Sequence, residues 1–186
     1  SPQIIEGVMS FCEKNGYRCI LENLRVYTKL IKASPEEYEN AMFMAVQQML
    51  AIKVDGIICI AAHARERNFF PESMGVPGVV AYAKSVSEQY PSVLFADEKS
   101  AYEITKLMID KGRKKIGFIS GNKENLHSVR RLEGYKRALS EAGLVFDDSL
   151  VCYGEWVHES GYKYAPLLLE KGVDGVFCIN DNTAVG

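Results

Sequence analysis

The sequence predicts an α/β protein of two similar lobes, each a mainly parallel sheet flanked by helices. Three observations carry that prediction. Helix-like and strand-like patterns alternate along the whole chain, as successive βαβ units require. The strand candidates are continuous apolar runs, the pattern of strands covered on both faces. One phrase also occurs twice: Lys53-Val54-Asp55-Gly56-Ile57-Ile58-Cys59-Ile60 and Gly172-Val173-Asp174-Gly175-Val176-Phe177-Cys178-Ile179, each following a helix and opening a strand.

The elements follow in order. Pro2 to Lys14 reads as a helix stopped by Gly16, with a strand near Arg18 to Leu21. Ser34-Pro35-Glu36-Glu37 is a helix start in which Ser34 caps, Pro35 fits the first turn and Glu37 reaches back. That helix places Tyr38, Met42, Ala45, Met49 and Ile52 on one face. Gly56 to Ala61 is a buried strand, and Gly75 to Tyr82 and Ser92 to Phe95 are two more. Ser100 and Glu103 open a helix with Ala101, Ile104, Leu107 and Met108 inward and Gly112 as its stop. Lys115 to Ser120 is a strand. A helix from Arg131 to Ala142 turns Leu132, Tyr135, Ala138 and Leu139 to one side and ends at Gly143. A short strand Val151 to Tyr153, a helix Gly161 to Glu170 and a strand Val173 to Ile179 complete the series.

Helix-to-strand joints converge on small turn residues, which alone could repeat a phrase. Here the alternation around both copies matches as well, which favours two lobes of one topology: an N-terminal lobe over residues 1–95 and a C-terminal lobe over 96–186. Two such lobes create a ligand cleft at the carboxyl ends of their strands.

Composition narrows the function. The 186 residues carry a formal net charge of −2 and a pI near 6.0. Nucleic-acid-binding domains usually show a basic excess, so any action on DNA would fall to a part outside this chain. The cysteines (Cys12, Cys19, Cys59, Cys152, Cys178) are odd in number with no CxxC pair, and Cys59 and Cys178 lie in apolar strands. A reducing, cytoplasmic setting follows, without a metal or redox site. No apolar run approaches the roughly 20 residues of a membrane span, and no signal peptide leads the chain. His63, His127 and His158 lack metal-ligand spacing. No serine sits in a nucleophile elbow, and Gly117 to Asn122 holds too little glycine for a phosphate loop. Arg113-Lys114-Lys115 reads as a solvated loop. No catalytic residue, cofactor or metal is expected.

Four phrases then converge: Leu107 to Gly121 (LMIDKGRKKIGFISG), Ser128 to Gly143 (SVRRLEGYKRALSEAG), Gly154 to Tyr162 (GEWVHESGY) and Val176 to Gly186 (VFCINDNTAVG). In this order and spacing the stretch from Val93 onward resembles the effector domain of LacI/GalR transcriptional regulators, a type I periplasmic-binding-protein fold. Before Val93 the likeness is looser: Glu6-Gly7, Asn15-Gly16-Tyr17 and Val54-Asp55-Gly56. The connection from Leu21 to Pro35 is longer than the family's, and its shape stays open.

The resemblance implies a binding module, not an enzyme. It implies that a helix-turn-helix, a hinge helix and a first strand precede this chain, and that a further helix and strands follow Gly186. The expected partners are a small-molecule effector of sugar-like chemistry, operator DNA through the helix-turn-helix, and a second copy in a homodimer. A periplasmic sugar-binding protein of the same fold is the alternative; the free cysteines and the RLxGY phrasing speak against it. An α/β enzyme is a second alternative, without a recognisable nucleophile or cofactor fingerprint.

By the same resemblance, Arg131 reaches into the cleft as a planar, permanently charged donor suited to hydroxyls; by spacing alone it is a surface residue. Trp156, the only tryptophan, implies a stacking wall for a sugar ring, against the commoner fate of a core tryptophan. Asn180 and Asp181 follow the last strand, where either caps a helix, and the asparagine implies an effector contact as well. Ser128 is a cap or a ligand contact. Asp97, at a strand end, is a ligand acceptor, a helix cap or a hinge residue.

Overall fold

The computed structural model describes residues 2–25, 33–61 and 66–186. Residues 26–32 of the connection left open above, and His63, lie outside them. The chain divides into two compact units, Ser1–Phe95 and Ala96–Gly186.

In the first unit, α1 (Pro2–Lys14) ends at Gly16, whose φ is 73°. The strand expected at Arg18 to Leu21 is not formed; those residues are exposed coil and pair with no described strand. A strand is held by its ladder, and without a neighbour its amides remain with water. α2 (Pro35–Ala51) starts as the sequence requires: Ser34 Oγ accepts from the Glu37 amide at 3.2 Å, and the Glu37 carboxylate accepts from the Ser34 amide at 2.7 Å. Met42 and Val46 carry its buried face, with Tyr38 and Leu50 beside them. Ile52, expected on that face, lies past the helix end and is exposed. β1 (Ile57–Ile60), β3 (Gly78–Ala81) and β5 (Ser92–Val93) form a parallel sheet in that order, and β2 (Glu66–Arg67) pairs in parallel with β4 (Lys84–Ser85).

In the second unit, β6 (Ile116–Ser120) lies between β7 (Val151–Tyr153) and β8 (Gly175–Cys178), all parallel. Every residue of β6 is buried, because helices cover both faces. Ile116 and Phe118 pack with Ala101, Tyr135 and Leu139, while Ile119 packs with Leu150, Leu168 and Val173. Phe118 stacks on Phe177 with centroids 4.5 Å apart. The buried Tyr135 hydroxyl donates to the Ile116 carbonyl at 2.7 Å.

The helices of this unit begin earlier than apolar periodicity suggests. α3 (Asp97–Asp110) starts ahead of Ser100, α4 (Leu126–Glu141) ahead of Arg131 and α5 (His158–Glu170) ahead of Gly161. Each first turn is rich in polar residues near the strand ends, so the apolar period begins one turn late. On α3 the inward residues are Ala101, Thr105 and Met108; Ile104 and Leu107, expected inward, are exposed. Thr105 can be buried because its hydroxyl donates to the Ala101 carbonyl at 2.7 Å. α3 and α4 approach closely at Gly134, where a Cβ would collide with the Glu98 carbonyl oxygen and lie 2.8 Å from the Tyr102 amide.

The order of connections positions the site. From β6 the chain passes through α4 to β7 on one side, then through α5 to β8 on the other side of β6. The loops leaving β6 and β8 therefore diverge, which opens a crevice at the carboxyl ends of these two strands. A short helix, α6 (Asp181–Val185), follows β8. No described helix is long and apolar enough to cross a membrane.

Candidate functional site

At the β6–β8 crevice the second unit gathers Asp97 from the first turn of α3, His127, Ser128 and Arg131 from α4, Trp156 from the loop after β7, and Asn180 from the end of β8. Asp97 is the anchor. Its carboxylate is buried, with Oδ1 accepting from Arg131 Nε at 2.8 Å and Oδ2 lying 2.5 Å from His127 Nδ1. A carboxylate only accepts, so the imidazole nitrogen facing it carries the proton. Burial alone would raise the Asp97 pKa. The hydrogen bonds and charges of His127 and Arg131 outweigh it and hold the carboxyl below its ordinary value. It is therefore ionised and paired, the condition under which a buried charge is tolerated. The cap of α3 is Ala96, without a side-chain bond, so Asp97 is not the helix cap.

Arg131 is held from two sides. Beyond Asp97, its Nη1 donates to the Ile179 carbonyl at the end of β8. The guanidinium carbon lies 5.5 Å from the centroid of the Trp156 ring. The side chain keeps 25% of its exposure, and Nη2 has no partner among the described residues. It is a fixed cation with donors still available at the crevice.

Trp156 is half-buried and packs against the core cluster that includes Phe118, Phe177 and Ile179. It lies over Gly121, where a Cβ would be 2.6 Å from the indole Nε1 and 2.8 Å from Ser128 Oγ. Only a glycine lets the indole rest on the backbone that leaves β6. Asn180 ties the wall in place: its Nδ2 donates to the Trp156 carbonyl at 3.2 Å, while Oδ1 accepts from the Thr183 amide at 2.9 Å as the cap of α6. Asp181 is the first residue of α6 and is exposed.

Ser128 is not a cap. It sits inside α4, whose cap is Asn125, with Oδ1 accepting from the His127 amide at 2.9 Å. Ser128 Oγ is buried without a hydrogen-bond partner among the described residues, as are Ser120 Oγ at the end of β6 and Thr183 Oγ1 in α6. Such orphaned hydroxyls are uncommon in a finished core; at the carboxyl ends of strands they are the polar groups a ligand or ordered water would satisfy.

Asp97, Ser128, Arg131, Trp156 and Asn180 thus assemble in one place, with Asp181 at its edge. Sequence reasoning passed over His127, weighed only as a metal ligand. The available signal is its i,i+4 relation to Arg131, which puts both side chains on one helix face; it becomes visible once α4 is known to begin at Leu126. Among the described residues no group of three or more His, Cys, Asp or Glu could hold a metal. An open cavity of about 620 Å³ at the carboxyl end of β7, bordered by Lys123, Tyr153, Glu155 and Lys163, contains none of the predicted site residues.

Comparison with known proteins adds an independent line. The family profile described as "periplasmic binding proteins and sugar binding domain of LacI family" matches residues 15–186. The chain is 29% identical to the HTH-type transcriptional repressor PurR of Vibrio atlanticus over 99% of its length and 53% of the relative's. It is 30% identical to catabolite control protein A of Priestia megaterium over 84% of its length and 48% of that protein's. Among solved structures, the transcription regulator CcpA of Lactococcus lactis superposes with a TM-score of 0.69 at 28% identity, covering 98% of this chain and 64% of the other. The chain spans about half the length of the curated relatives it matches.

Proposed function

Because this chain belongs to the family of periplasmic binding proteins and LacI-type sugar-binding domains, we propose that it is the effector-sensing domain of a transcriptional repressor. The ligand is a sugar or sugar-like metabolite, held at the β6–β8 crevice. Arg131 donates to its hydroxyls, Trp156 stacks on its apolar face, and Asn180, Ser128 and Asp181 supply further polar contacts. Asp97 contributes from behind Arg131. Effector occupancy controls operator binding by a helix-turn-helix segment outside this chain, in a cytoplasmic homodimer. The repressor reading is supported by the relatives, a transcriptional repressor and a catabolite control protein. A net charge of −2 supports a DNA-contacting role outside this chain.

One observation carries the proposal: a buried, ionised Asp97 holding Arg131 at a topological switch point, beside a half-buried indole and orphaned hydroxyls. A cation fixed on one side and open on the other is preorganised to donate without reordering on binding. In allosteric systems the two ligands typically alter each other's affinity by about 1–3 kcal/mol. The test is a thermal-shift screen of monosaccharides, disaccharides, sugar phosphates and nucleobases. A ligand of the native state at a hundredfold excess over its Kd stabilises by about 2.7 kcal/mol. The expected result is a rise in Tm confined to one sugar class. Stabilisation by nucleobases alone would replace the sugar reading with a base-binding one.

A further inference from the structure

The buried histidine beside this site has been given no task so far. We propose that His127 is a positioning residue that sets how Arg131 is presented to the ligand. The proposal rests on the reading of Arg131 as an effector contact.

The geometry leads there directly. A carboxylate beside a guanidinium ordinarily takes it in a two-pronged grip, accepting from two nitrogens at once. Here the grip is single: Oδ1 meets Nε at 2.8 Å, and Oδ2 is occupied by His127 Nδ1 at 2.5 Å. The imidazole thereby keeps Asp97 from turning its second oxygen onto the Nη edge of Arg131. That edge is left to the Ile179 carbonyl and to the crevice. Without a donor at position 127, Oδ2 would be stranded in a buried site, and its nearest remedy is a rotation that draws the guanidinium back from β8.

The imidazole is held in turn by the Asp97 carboxylate of α3 and lies edge-on to the Trp156 indole, with ring centroids 6.3 Å apart.

Two variants separate positioning from folding. His127→Asn retains an N–H near Nδ1, whereas His127→Leu fills the space without a donor. The first measurement uses no ligand: the Arg131 Nε–H resonance in a ¹⁵N-correlated spectrum, assigned by its loss in Arg131→Lys. The expected result is a near-native resonance in His127→Asn and a displaced one in His127→Leu, with both proteins folded. An unmoved resonance in His127→Leu overturns the positioning role. The second measurement follows Trp156 fluorescence as D-ribose is added at one pH. Binding about tenfold weaker in His127→Leu than in His127→Asn is expected, and equal affinity in the two overturns the positioning role. If D-ribose binds none of the proteins, the resonance result alone decides the positioning role.

Discussion

Gly121 shows how one backbone position governs the crevice. Its missing side chain is the space the Trp156 indole occupies, 2.6 Å from where a Cβ would stand. Gly121→Ala should lift the indole off the backbone, shift the emission of this single tryptophan and weaken effector binding by about tenfold, since misplacing a contact by an ångström is costly. Fluorescence titration of the purified variant reads both effects, and an unchanged spectrum would show that the wall is not seated on Gly121. The structure brings together Arg131 and Trp156, both of which stand inside long, ordered phrases of the sequence. His127 was not legible in the sequence, because its partner Asp97 is 30 positions away, and only the fold brings α3 against the first turn of α4.

Elements were legible to the degree that they are covered by apolar neighbours. β6, buried on both faces, and α2, with its reciprocal cap, stand where the residue pattern puts them. The first turns of α3, α4 and α5 carry polar residues and fell outside an apolar period that starts a turn later. Arg18 to Leu21 has the residues of a strand but no described neighbour to complete its ladder. The repeated phrase extends to backbone shape: Lys53 and Gly172, the residues before each Val-Asp-Gly, have φ of 57° and 72°. The α3–α4 pair depends on close approach at Gly134, against the Glu98 carbonyl. Gly134→Ala should therefore destabilise the second unit by about 1–3 kcal/mol through overpacking, read as a lower urea midpoint. A midpoint equal to the parent's would mean that the helices separate without penalty.

At the scale of the whole molecule, carboxylates tie the fold to pH. Glu37 is held low by its bonds with Ser34, Asp147 by those with Ser149, and Asp174 by the Lys114 and Lys115 amides. Asp97 is held low by His127 and Arg131 against its own burial. A carboxyl whose folded value is depressed contributes stability fully present above its unfolded value, about 4, and lost as pH falls through the folded value. Acid titration followed at Trp156 should thus show the second unit losing stability below pH ~4. Asp97→Asn should lower stability at neutral pH and flatten that slope, and a slope as steep as the parent's would remove Asp97 from the account. Fold class could be read from alternation and repetition alone, because those patterns are local. The joining of one buried acid to two bases could not, because it depends on which helices lie side by side. The central claim is that a fixed Arg131 at the carboxyl ends of β6 and β8 holds the effector. Calorimetric titration of the sugar that emerges from the thermal screen into the parent and Arg131→Ala tests it most directly. One-site binding that weakens by about a hundredfold, some 2.7 kcal/mol, is the predicted result, and equal affinity in the two proteins would contradict it.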